Sequence, residues 1–246
     1  MAHLVAGYPD WDTSLQFGRG LAEAGSSYLE VQFPFSDGTA DGPMIQAACD
    51  TALQNGFTLA RGFELVRALT AEVETPVAVM TYANLIFQNG VSSFVSRCRD
   101  ARVEAIIAPD LPPDYDEGLY GEARSCAIEV IPVVAPTVTT DRLQFMLQSA
   151  SGNLVYVALR KGITGTYTEL GPRTMQFLAS VRDAGARIAA GFGIRNHQQV
   201  EMLGSLVDYV VVGSLLVEAL RDGPNELAHQ IAVSTVGTLL SGNGKV

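Results

Sequence analysis

The run Arg187-Ile188-Ala189-Ala190-Gly191-Phe192-Gly193-Ile194 joins a short apolar stretch to a Gly-x-Gly turn. Such a run is too short for a core helix, and its continuous apolar character suits a parallel strand covered by helices. The same phrase returns at Tyr209-Val210-Val211-Val212-Gly213-Ser214. Working back toward the N-terminus, comparable strand candidates lie at residues 3–6, 28–33, 77–81, 105–108, 130–134 and 154–159, making eight with 187–190 and 209–212. Between them run amphipathic helical segments, about 15–24, 63–73, 92–101, 114–127, 141–149, 173–184, 198–204 and 224–240. Asp10 or Asp12 is placed to cap the first, and Thr140 or Asp141 the fifth.

Eight β/α units in 246 residues with no linker-like break read as one α/β domain, a (β/α)8 TIM barrel over residues 1–246. An open doubly wound sheet is the alternative that the alternation alone leaves standing. Hydrophobic residues make up 48%, enough to bury a large core, and charged residues only 17%, a globular rather than disordered composition. Sixteen Lys and Arg against 26 Asp and Glu give a net charge of −10, which argues against a nucleic-acid partner. The longest apolar run, 209–217, is too short to span a membrane and is broken by Gly213 and Ser214. Cys49, Cys98 and Cys126 are widely spaced with no CxxC, as expected of reduced thiols in a cytoplasmic protein. The N-terminus lacks the basic-then-apolar pattern of a signal peptide.

Chemistry in such barrels gathers where strands end. Three strand ends carry unusual residues. In Leu29-Glu30-Val31-Gln32-Phe33-Pro34-Phe35-Ser36-Asp37, Glu30 interrupts an apolar strand and shares a face with Tyr28 and Gln32. If that face is the interior, the carboxylate must be paired or protonated, the condition of a general acid/base. If it is the exterior, Glu30 merely meets a helix, and Asp37 and Asp41 are turn formers or caps. Gly191-Phe192-Gly193 and Gly213-Ser214 follow the seventh and eighth strand candidates, the usual phosphate site of the fold; ordinary turns also use glycine. Residues 160–168, after the sixth, are polar and Gly-rich, either a lid or a plain surface loop. Tyr156 either reaches inward with its hydroxyl or only packs. His3, His197 and His229 are scattered and show no metal-ligand spacing, so no metal is expected. Gly191-x-Gly193 is not a dinucleotide fingerprint.

Together these stretches resemble the tryptophan synthase alpha subunit family. Leu29-Glu30 followed by Pro34-Phe35-Ser36-Asp37-Gly38-Thr39-Ala40-Asp41-Gly42-Pro43 and Ile45-Gln46 carries most of the likeness. Gly7-Tyr8-Pro9, Met80-Thr81-Tyr82-Ala83-Asn84, Pro109-Asp110-Leu111-Pro112, Ala135-Pro136-Thr137 and Gly162-Ile163-Thr164-Gly165 match in order. The resemblance implies retro-aldol cleavage of indole-3-glycerol phosphate to indole and glyceraldehyde 3-phosphate in tryptophan biosynthesis. It implies Glu30 as acid/base, Asp41 as acceptor of the ring N–H, and Tyr156 near both. Gly165, Gly193, Gly213 and Ser214 would hold the phosphate. Met80, Ile107 and Phe192 would line the indole pocket, and Thr164 would belong to the lid. The implied partner is a PLP-dependent beta subunit in an αββα heterotetramer, docking at the loop after the second strand and residues 84–87. No cofactor is expected in this chain, which has no lysine within a strand for a Schiff base.

Against the family pattern, Gln32 stands where Gly is usual, Gly38 replaces the usual Pro, and Lys161 precedes Gly162. The chain begins almost at its first strand, apparently without the N-terminal helix that closes the barrel bottom. A stand-alone indole-releasing lyase and a weakly catalytic subunit that activates its partner are the alternatives. A phosphoribosyl isomerase on the same barrel would share the glycine turns but not the 34–43 stretch.

Overall fold

The computed structural model describes residues 1–158, 171–191 and 193–241. Along the chain come β1 (Ala2–Val5), α1 (Trp11–Glu23), β2 (Leu29–Gln32), α2 (Pro43–Gln54), α3 (Leu59–Glu72), β3 (Val77–Met80), α4 (Ala83–Asn89) and α5 (Val91–Asp100). Then follow β4 (Ala105–Ile107), α6 (Leu119–Ser125), β5 (Glu129–Val130), β6 (Val133–Val134), α7 (Thr140–Ser149), β7 (Leu154–Val157) and α8 (Pro172–Asp183). The last are β8 (Arg187–Ala190), α9 (His197–Gly204), β9 (Tyr209–Val210), α10 (Ser214–Asp222) and α11 (Ala228–Ser241).

Every strand pairing is parallel, in the orders β1-β2-β3-β4-β5 and β6-β7-β8-β9. β5 and β6 are two halves of the fifth strand. Pro132 between them has no N–H to give a ladder, yet its carbonyl accepts from Tyr156 N–H at 2.9 Å while Ile131 N–H donates to Ile106 O at 2.9 Å. The two ladders thus join at that strand. The remaining seam closes through a parallel bridge between Ala2 and Val212, with His3 N–H donating to Val212 O and Val212 N–H to Met1 O, both at 3.0 Å. The result is the closed (β/α)8 barrel rather than the open sheet, and a closed sheet has no exposed edge.

Several elements differ from the sequence reading. Helices α2, α4 and α10 lie where no helix was expected. The buried face of α2 is Ile45, Ala48, Cys49 and Ala52, mostly small residues that leave a faint 3.6-residue period. The apolar run 209–217 hides the change from β9 to α10, because a continuous run has no period. The segment 114–127 is broken at Gly118, which adopts a left-handed φ of 89° before α6 begins. Asp10 does cap α1 by accepting from Thr13 N–H, whereas α7 is capped by Thr139 rather than by Thr140 or Asp141.

Strand alternation sorts the core into two shells. Inside the barrel lie Met1, Tyr28, Ala78, Met80, Ala105, Ile107, Ile131, Leu154, Ala189 and Val211. The opposite faces of the strands, such as Leu29, Val31, Val77, Val79 and Ile106, pack against the helices. A chain of edge-on aromatics, Phe33–Phe63 at 5.1 Å and Phe63–Phe94 at 5.4 Å between centroids, fills the space over β2. The first and last long helices meet at Gly20, where a Cβ would stand 2.4 Å from His229 O and 2.8 Å from the Ala232 methyl. A backbone oxygen cannot swing aside like a side chain. Gly20→Ala is therefore expected to cost about 2 kcal/mol through overpacking, read as a lower midpoint in urea unfolding; an unchanged midpoint would mean that α11 can back away freely.

Candidate active site

β2 builds the centre of the site. Tyr28, Glu30 and Gln32 face the barrel interior, and Glu30 is only 2% exposed. In register, Glu30 lies between His3 of β1 and Ala78 of β3. One flank of the carboxylate is therefore an imidazole and the other a methyl group. His3 Nδ1 stands 3.5 Å from Glu30 Oε1. Glu30 Oε2 and His3 Nε2 are buried without a hydrogen-bond partner among the described residues. Unpaired polar atoms in a barrel interior are costly, and where they persist they mark a place for a polar ligand.

The loop after β2 folds back over the barrel mouth and carries the second carboxylate. Asp41 is 7% exposed. Gln32 Nε2 donates to Asp41 Oδ2 at 2.7 Å, and the Tyr82 hydroxyl lies near enough to the Asp41 carboxylate to favour its charged form. The same Tyr82 oxygen accepts from Ala40 N–H at 3.1 Å, and the ring stacks on Phe35 at 5.5 Å. Burial pushes the Asp41 carboxyl above its ordinary pKa, with the charge of Glu30 adding to it; the bonds from Gln32 and Tyr82 and the nearness of His3 pull the other way. Tyr156 faces the same cavity, its hydroxyl held neutral by burial and by the two carboxylates.

Glu30 and Asp41 share one cavity with Met80, Ile107, Val133 and Val211 on its apolar side. Gly191, Gly193, Gly213 and Ser214 give the same cavity a glycine-rich rim. Two helix N-termini approach that rim, and they differ. The start of α9 is satisfied internally, since the Asn196 side chain accepts from Gln199 N–H and Gln199 Oε1 accepts from Arg195 N–H. α10 has Gly213 at its N-cap and no side-chain cap. Its first N–H groups lack intrahelical partners and point a positive dipole end at the cavity. Such an end is chemically suited to receive an anion. Gly193 has a left-handed φ of 67°, a conformation that side-chain-bearing residues rarely adopt. Gly191 is needed for another reason than a ligand, because a Cβ there would lie 1.8 Å from Val211 O on the neighbouring strand.

Of the residues expected from sequence, Glu30, Asp41, Tyr156, Met80, Ile107, Gly193, Gly213 and Ser214 meet around this cavity. Thr164, Gly165 and Phe192, with the expected lid, lie outside the described residues. Asp37 is exposed and accepts from Ser36 Oγ at 2.7 Å, away from the pair. His3, one of three histidines scattered in the sequence, lies beside Glu30. Its only sequence signal is a polar side chain inside a short apolar strand, the same signal that drew attention to Glu30. Gln32 and Tyr82 were likewise given no contact with Asp41, because the loop that brings Asp41 back to them has no periodic pattern. No group of His, Cys, Asp and Glu suited to a metal occurs among the described residues.

A barrel in which one apolar cavity is bordered by two buried carboxylates and an uncapped helix narrows the choice of family, and sequence comparison decides it. A profile described as "Tryptophan synthase alpha chain" matches residues 1–239. The chain belongs to the tryptophan synthase alpha chain family. The tryptophan synthase alpha chain of Helicobacter hepaticus is 39% identical over 245 residues, covering 94% of this chain and 91% of that one. That of Opitutus terrae is 35% identical, covering 98% and 92%. Among solved structures, Mycobacterium tuberculosis tryptophan synthase superposes with a TM-score of 0.89 at 29% identity, covering 98% of this chain and 90% of the other. A tryptophan synthase complex from Pyrococcus furiosus gives 0.86 at 31% identity, covering 97% and 96%. The family is the lyase subunit that cleaves indole-3-glycerol phosphate and passes indole to a beta subunit.

The raised Asp41 pKa carries a stability consequence. Its folded-state pKa lies above the unfolded value, so the cost of burying the ionised form is absent below the ordinary range and complete above the folded pKa. Asp41→Asn removes that cost while keeping an acceptor for Gln32. Thermal unfolding is expected to show the variant more stable than wild type at pH 7, with the gap closing toward pH 3. A gap that stays constant with pH would contradict it.

Proposed function

We propose that Glu30 and Asp41 divide the retro-aldol cleavage of indole-3-glycerol phosphate between them, with the substrate phosphate seated at the start of α10. The supporting observation is that both buried carboxylates and the uncapped N-terminus of α10 border one cavity, whose lining also includes Met80, Ile107 and Val211 for a flat apolar ring.

The chemistry asks for these groups in this order. Indole C3 must gain a proton before it can leave, and the hydroxyl on the adjacent side-chain carbon must lose one as the C–C bond breaks. Glu30, protonated, gives its proton to C3; as carboxylate it takes the hydroxyl proton, and the bond electrons return to the ring. The net result moves the hydroxyl proton to indole C3 and releases an aldehyde, with Glu30 regenerated. During the step positive charge develops at the ring nitrogen. Asp41 accepts the ring N–H and stabilises that charge in a site where water cannot compete. The neutral Tyr156 hydroxyl is available to bond a carboxylate or the substrate hydroxyl. Ser214 Oγ and the N–H groups of Gly213 and Ser214 hold the phosphate, joined by Gly193 and, from outside the described residues, Gly165; Phe192 and Thr164, also outside them, belong to the indole pocket and the lid.

The acidic surface fits this design, because an anion is then captured locally by backbone donors rather than by a basic patch. The chain works without a cofactor of its own, and PLP belongs to the partner. We place the partner on the loop after β2 and on α4, where Phe87 is 39% exposed, within an αββα heterotetramer. No helix among the described residues is long and apolar enough to cross a membrane, and a cytoplasmic setting suits free thiols at Cys49, Cys98 and Cys126.

Indole release from indole-3-glycerol phosphate tests the assignment. Glu30→Gln should lower kcat by about a thousandfold, within the range for losing a general acid/base, with and without the beta subunit. A variant that keeps wild-type kcat would remove Glu30 from the chemistry. Ser214→Asp places a carboxylate at the phosphate seat and should raise KM at least tenfold while leaving the fold intact by circular dichroism. Unchanged KM would move the phosphate elsewhere.

A further inference from the structure

The side chain at position 32 and the missing one at position 38 act on the same carboxylate oxygen. Gln32 is fully buried, and its Nε2 lies 2.7 Å from Asp41 Oδ2 and 3.4 Å from Cys49 Sγ. The amide orientation follows from chemistry, since only the NH2 end can face a carboxylate and a thiol together. Its Oε1 is buried with no partner among the described residues, so this amide carries an energetic cost that packing alone does not repay. At position 38, a Cβ would stand 2.1 Å from the same Asp41 Oδ2 and 2.9 Å from Asp41 Cγ. Any side chain there, proline included, would evict the carboxylate from the Gln32 amide.

We propose that Gln32 and Gly38 form a single positioning device for Asp41. The amide holds Oδ2, the absent Cβ leaves room for it, and the other carboxylate oxygen is left to meet the substrate ring N–H. Gln32 is a positioning residue and does none of the bond chemistry. The two departures from the family pattern are then coupled, and neither functions without the other. This inference rests on the proposed contact between Asp41 and the ring N–H.

A double-mutant cycle in the complete complex with the beta subunit tests it, using Gln32→Gly, Gly38→Ala and the two together. Each single change should lower kcat for indole-3-glycerol phosphate cleavage about tenfold to a hundredfold, the range for one hydrogen bond to a charged group, with KM changing less than threefold. The double variant should be no worse than the poorer single one. Losses that multiply would overturn the coupling. The titration of a 13C-labelled Asp41 carboxyl supplies a readout independent of turnover. Glu30 of β2, His3 of β1, Tyr82 beyond β3, Cys49 of α2 and Tyr156 of β7 face that carboxyl and remain in every variant. Removing the Gln32 donor should move the titration to higher pH, and Gly38→Ala should do the same. An unmoved titration in both would overturn the device even if activity fell. A moved titration with unchanged kcat would support the device and instead sink the role of Asp41 in the reaction. Because Gln32→Gly can loosen the core, Gln32→Met serves as a second variant of similar volume and should give the same titration shift with an unchanged unfolding midpoint.

Discussion

A closed ring of parallel strands has one interior, and alternate residues of each strand have to occupy it. Most of this interior is filled with Ala, Met, Ile, Leu and Val, a low-dielectric plug. Placing Glu30 there, with one oxygen unpaired, sets the terms for its neighbours. The imidazole of His3 is set against it by strand register, and Asp41 is drawn over it by the folded-back loop. Burial that costs stability also makes each remaining hydrogen bond stronger than it would be in water.

That trade explains the polarity of the cavity. Burial disfavours the charged form of Asp41, one of its two carboxylates. The positive end of α10 borders the same cavity, needs no charged side chain and tolerates an acidic protein. The proposed seating of the substrate, ring at the carboxylates and phosphate at α10, follows from that arrangement.

The barrel alternation and the presence of a carboxylate in the barrel interior were legible because both are local. Period-two burial can be read from four or five consecutive residues, and Glu30 among Leu29, Val31 and Phe33 is an anomaly visible without a structure. The glycines after the last two strands were legible through their ordinal position, although Gly191 turned out to serve strand packing against Val211. Helices with small buried faces, α2 above all, escaped because Ala and Cys give little contrast with polar neighbours.

What required the tertiary structure was every relation that crosses the barrel or a loop. Sequence determined that a carboxylate, a glutamine and a glycine would lie close to the second strand. Only the fold decided that Gln32 and the space at Gly38 converge on one oxygen of Asp41, and that His3 and not another histidine stands beside Glu30. The physical reason is that strand and helix periods constrain neighbours a few residues apart. Hydrogen-bond partners of a buried charge are instead chosen by closure of the ring, which brings residues from distant strands within 3 to 4 Å of each other.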